Sequence, residues 1–157
     1  CLSRGLGDVY KRQITDGKCS YKVSDKDIYI FLDFEMIFNL LDEKTKTSLG
    51  RNKRHCDTII IDRASVQIYE LSMSTIRDIE EYLDKFEYCV KFLEYLNESG
   101  IRIGLNKIEL VTVVHESIVN EFNRYAKVFR NVLSQYKRNI LMKYANALSL
   151  VPKVCNT

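Results

Sequence analysis

The spacing of apolar positions changes several times along the chain, and each change marks a candidate element. The stretch "SDKDIYIFLDFEMIFNLLDEKTK" opens on Ser24 with Asp27 three residues later, a helix-start signature, and is then apolar nearly all round. It predicts a helix packed on more than one side. A strand at Ile28–Leu32 is the competing reading, because β-branched and aromatic residues dominate there. "KTKTSLGRNKRH" (44–55) has no apolar period and predicts a polar loop. "TIIID" and "VQIYEL" are two short β-rich runs separated by "RAS", the pattern of a hairpin.

The clearest helix follows. Ile76, Ile79, Leu83, Phe86, Val90 and Leu93 recur at steps of three and four, with Thr75 placed to cap the start and Gly100 to close the end. "KIELVTVVHES" predicts a third strand whose apolar continuity points to burial on both faces. A second amphipathic helix is expected through Ile118, Phe122, Tyr125, Phe129, Val132, Leu133 and Tyr136. The tail "RNILMKYANALSLVPK" reads as short strands around "NILMKY", with helix as the alternative. The order helix, hairpin, helix, strand, helix predicts a small α/β sandwich in which the hairpin feeds a crossover helix into a buried neighbouring strand.

Composition changes this picture in two places. Residues 1–13, "CLSRGLGDVYKRQ", resemble a translated sequencing-library adapter and are expected to be non-native, leaving 14–157 as a single domain whose own N-terminus is missing. The formal net charge of +3 then falls to +1, because Arg4, Lys11, Arg12 and Asp8 leave with that stretch and 21 Lys+Arg remain against 20 Asp+Glu. Bulk basicity therefore gives no argument for nucleic-acid binding, and any electrostatic case rests on local clustering. The richest apolar run is too short to span a bilayer. The second place is cysteine usage. Cys19, Cys56, Cys89 and Cys155 form no C-x-x-C pair, and His55 and His115 have no zinc-like spacing to them. The expectation is buried free thiols in a reducing cytoplasm.

The candidate chemistry lies in the hairpin. With an even-length turn centred between Arg63 and Ala64, Ile61 faces Val66, Ile59 faces Ile68, and Asp57 falls opposite Glu70. Directly opposed residues share a face with Cβ atoms roughly 4.5–5.5 Å apart. Two carboxylates so placed repel unless a cation lies between them, and a hard divalent ion such as Mg²⁺ (or Mn²⁺) suits an all-oxygen site. Ser72 follows Glu70 by two residues, on the same face by strand periodicity.

"CD", twelve further residues and "ELS", followed by a long amphipathic helix and a strand, resemble the PD-(D/E)XK nuclease superfamily, particularly its small archaeal-type members. The resemblance covers roughly residues 25–115. It implies a restriction-endonuclease-like sandwich, a small mixed sheet flanked by helices, and Mg²⁺-assisted hydrolysis of DNA phosphodiester bonds. Carried over by position, Asp57 and Glu70 become the metal-binding acids, the Leu71 carbonyl the third ligand, and Glu35 the further acid that some members place on the first helix. Cys56 stands where the Pro is usual, and Ser72 stands where the triplet lysine belongs. Lys85, on the flank of the next helix, is the candidate migrated replacement. Without such a replacement the resemblance implies a catalytically degenerate module for nucleic-acid binding or protein interaction. Lys44, Lys46, Arg51, Lys53 and Arg54 form a basic loop leading to Asp57, suited to holding phosphates. The expected partner is DNA, without a membrane, and a homodimer is left open.

Overall fold

The computed structural model describes residues 12–16, 19–23, 28–50, 54–73 and 79–155. Five strands form one mixed sheet in the order β3-β4-β5-β6-β7: β3 (Ile28–Asp33), β4 (Thr58–Asp62), β5 (Val66–Met73), β6 (Ile108–Val114) and β7 (Leu148–Val154). β3 pairs with β4 and β4 with β5 antiparallel, whereas β5 pairs with β6 and β6 with β7 parallel. A separate antiparallel hairpin joins β1 (Arg12–Asp16) to β2 (Cys19–Val23).

The β4–β5 turn is an Asx-type reversal. Asp62 Oδ1 accepts the amides of Ala64 and Ser65, both at 2.7 Å, and the Asp62 amide donates to the Ser65 carbonyl. It fixes the expected register, with Ile61 opposite Val66 and Ile59 opposite Ile68. The chain then crosses over through α3 (Ile79–Glu98) into β6. Ile79, Leu83, Phe86, Val90 and Leu93 are all buried on the stripe that periodicity marked. Gly100, at φ 91, closes the helix with its amide on the Asn97 carbonyl. Lying between two parallel neighbours, β6 buries both faces, as its unbroken apolar run requires.

The alternation of β4, β5 and β6 sorts side chains into two cores. Ile59, Ile68 and Leu110 pack with α3 and with Phe122, Val132 and Leu133 from the C-terminal helices. Ile60, Tyr69, Leu71, Val111 and Val113 face the other way and are covered by Ile14, Cys19 and Val23 of the β1–β2 hairpin.

Four local expectations are corrected. Residues 28–33 are strand β3, and the helix α1 (Phe34–Leu40) begins only after Asp33, whose carboxylate caps it by accepting the Met36 amide. Cross-strand pairing with the Ile-rich β4 overrides the helical reading of an apolar run that has no single stripe. Ser24, Asp27, Thr75 and Ile76 lie outside the described residues. The supposed polar loop contains α2 (Glu43–Leu49), which Asp42 caps and Leu49 anchors in the core. The expected single helix from Ile118 to Tyr136 divides into α4 (Val119–Lys127) and α5 (Phe129–Gln135) at Val128, although the apolar stripe crosses the break without changing phase. The tail forms α6 (Asn139–Lys143) where strands were expected around "NILMKY", and its strand is β7, further along.

The cysteines supply the fifth correction. They are not free thiols: Cys19 bonds to Cys155 and Cys56 to Cys89. These connectivities depend on contacts between distant segments, which Cys spacing alone does not reveal. Among the described residues, no helix is long and apolar enough to cross a membrane.

Candidate functional site

Asp57 sits one residue before β4, where the regular ladder begins at Thr58 opposite Tyr69. Hydrogen bonds from both its backbone and its side chain hold it. Its amide donates to the Tyr69 carbonyl at 3.0 Å, its carbonyl accepts the Phe34 amide at 3.0 Å, and its Oδ2 accepts the Leu71 amide at 2.7 Å. The carboxylate therefore reaches across to β5 and binds the backbone immediately after Glu70.

Glu70 is almost wholly buried, at 1 % exposure. It shares the face of Ile68, towards the helical layer, and its Oε1 accepts a hydrogen bond from Lys85 Nζ. Lys85 extends from α3 with its side chain 23 % exposed. Burial opposes its charge, but the hydrogen bond and attraction of Glu70, aided by Asp57 and Glu81, outweigh burial and lift its pKa above the ordinary lysine value. Lys85 thus stays an ammonium at neutral pH, a source of positive charge rather than a proton acceptor.

The ladder between β5 and β6 slips at Ser72: Leu71 pairs with Val113 and Met73 with Val114. Such bulges re-aim the strand locally, and this one falls at the position where the resemblance calls for lysine. Thr112 pairs with Glu70 in register and is fully buried. The apolar run of β6 concealed this polar neighbour of the site.

The remaining candidates are placed differently. Glu35 is exposed in the first turn of α1, and among the described residues no group of three or more His, Cys, Asp or Glu side chains comes together to hold a metal. Glu35 is therefore not brought into a set with Asp57 and Glu70. Lys44 is exposed on α2. Lys46 is largely covered, with its Nζ 4.8 Å from the Phe38 ring centroid and 3.5 Å from Glu43 Oε1, so it serves as packing as much as charge. Arg54 leans on α3, 3.8 Å from Asp84 and 4.0 Å from Glu81. Arg51 and Lys53 lie outside the described residues.

Two features of the site were not anticipated from the sequence. Arg138 ties the α5–α6 turn to α3 through Asp84 and Glu87, using the acidic stripe that also receives Arg54. The Cys56–Cys89 disulfide joins the residue before Asp57 to the helix that carries Lys85, and both cysteines are at 0 % exposure. One signal was present: Cys89 follows Lys85 by four residues, on the same helical stripe.

The candidate donors are one carboxylate at a strand entry, a second on the neighbouring strand, and the Leu71 carbonyl, which directly follows Glu70 in sequence. All are oxygens, the donor type that a hard divalent cation prefers. No family model matches the sequence, and no curated protein or solved structure matches it either.

Proposed function

We propose that the chain is a PD-(D/E)XK-like, Mg²⁺-dependent nuclease domain acting on DNA. The observation that carries the proposal is the reach of Lys85 from α3 to Glu70, beside Asp57, which returns to the acids the positive charge that Ser72 lacks. The order of elements supports it: three antiparallel strands, a crossover helix, then a parallel strand, with the acids at one end of the middle pair.

In this reading Asp57, Glu70 and the Leu71 carbonyl hold the metal. The bound ion supplies Lewis acidity towards the phosphate and lowers the pKa of its water. The chain's own residues do the rest. The Leu71 amide fixes the Asp57 carboxylate, Glu70 is held by packing on the helical face of the sheet, and Lys85 places a permanent positive charge where the phosphate's negative charge grows. Lys44 and Arg54 offer exposed charge for the phosphate backbone. A homodimer belongs to the same proposal. So does a cytoplasmic location, and two closed disulfides are compatible with it where intracellular proteins are kept oxidised, as in hyperthermophiles.

One observation favours a second reading. The Lys85–Glu70 pair already gives Glu70 a cation without a metal, as expected of a degenerate module that binds nucleic acid without cutting it. Cleavage of a DNA substrate with Mg²⁺ separates the two. The nuclease reading expects turnover that falls by about a hundredfold or more in both Asp57→Asn and Glu70→Gln. Salt-sensitive binding with no turnover under Mg²⁺ or Mn²⁺ would favour the degenerate module, and turnover retained in either variant would refute the metal site.

A further inference from the structure

We infer that the Cys56–Cys89 disulfide is the positioning element of this site, so that its assembly depends on the redox state of that bond. The inference rests on the assignment of Asp57, Glu70 and Lys85 made above.

Lys85 and Cys89 both join α3 to the sheet beside Asp57, in addition to the contacts of Arg54 with Asp84 and Glu81. Lys85 reaches Glu70 on β5, and Cys89, one helical turn further on, is bonded to Cys56 at the entry to β4. Residues 85 and 89 are about 6 Å apart along the helix axis and lie on one stripe. The Cys56 amide also donates to Cys89 Sγ at 3.2 Å, which fixes the backbone at Cys56 as well as its side chain. Residues 54–56 belong to no helix or strand, and the β4 ladder begins only at Thr58. The disulfide therefore replaces ladder pairing as the anchor of the residue before Asp57, and ties that residue to the helix whose ammonium must meet the acids. With the bond open, the ionic contacts of Lys85 with Glu70 and of the half-exposed Arg54 with Asp84 and Glu81 would remain, and these longer, partly solvated side chains would let α3 pivot against the entry of β4.

Reduction by a dithiol opens this clamp. Thiolate attack breaks the Cys56–Cys89 bond, two electrons come from the dithiol as it closes to its own disulfide, and two protons finish on the Cys56 and Cys89 thiols. Both residues are fully buried, so exchange proceeds through local opening.

The test uses the full chain carrying Cys1→Ala, Cys19→Ala and Cys155→Ala, so that only Cys56–Cys89 responds to redox. The oxidised and dithiothreitol-reduced forms are compared for Mn²⁺ affinity by calorimetry and for exchange of the Leu71 amide, with the Val111 amide as an internal reference. If that variant does not fold, Cys56→Ala/Cys89→Ala with the other bond intact gives the same comparison against the oxidised wild type. The clamp expects Mn²⁺ affinity at least tenfold weaker without the bond, and Leu71 exchange accelerated tenfold while Val111 is unchanged. Faster Leu71 exchange with no Mn²⁺ binding in either form would uphold the clamp and reject the metal site. Equal exchange in both forms, or equal acceleration of Leu71 and Val111, would overturn the clamp.

Discussion

A carboxylate as deeply buried as Glu70 loses hydration worth several kcal/mol and stays ionised only if another group compensates. Lys85 offers that compensation from a partly exposed position. The pair is more costly to break than to replace. Lys85→Met is expected to destabilise the fold by about 3 kcal/mol, because Glu70 would keep its burial and lose its ammonium. Combining it with Glu70→Gln should recover most of that loss, read as the shift in urea midpoint across a double-mutant cycle. Additive losses in the double variant would show that the two side chains act independently.

At the scale of elements, α2 is seven residues long and buries only Leu49, so its ends matter more than its packing. Asp42 accepts both the Thr45 amide at 2.7 Å and the Thr45 hydroxyl at 3.1 Å. The amide bond first, and the hydroxyl second, hold its pKa below the ordinary 3.8. A lowered folded-state value means the cap is fully present above 3.8 and is lost as pH falls through the folded value. Protection of the Thr45 amide should therefore fall in acid while that of β6 persists, and Asp42→Ala should show the acid behaviour at neutral pH. Thr45 protection that does not change with pH would exclude the cap. The same helix shows why part of the fold was illegible in the sequence. An element stabilised by one capping carboxylate, one anchor and a lysine lying over Phe38 leaves no periodic stripe to detect. β3 was misread for the opposite reason, since an all-apolar run does not say whether its neighbours are strands or helices. The hairpin was legible to the residue because its turn is short and alternation on either side fixes the register. The site was half legible. The place of Lys85 on the flank of α3 pointed to its contact with Glu70, whereas the bulge at Ser72 and both disulfides depend on strands and segments far apart in the chain.

Across the whole molecule, the two disulfides close sequence separations of 136 and 33 residues. By chain entropy these are worth about 5 and about 4 kcal/mol, comparable to the entire stability of a typical domain. One secures the β1–β2 hairpin over the apolar face of the sheet, and the other secures α3 beside the acids. The candidate site exists only where these parts meet, since the entry to β4, β5 itself and α3 each contribute one ionisable side chain. The positive charge should then be portable between elements. The most direct measurement is Mg²⁺-dependent cleavage of DNA by Lys85→Ala, with and without Ser72→Lys. The expected result is a fall of about a hundredfold in Lys85→Ala and recovery of at least tenfold when lysine is restored at position 72. Cleavage by Lys85→Ala at the wild-type rate would contradict the assignment of Lys85 as the migrated lysine.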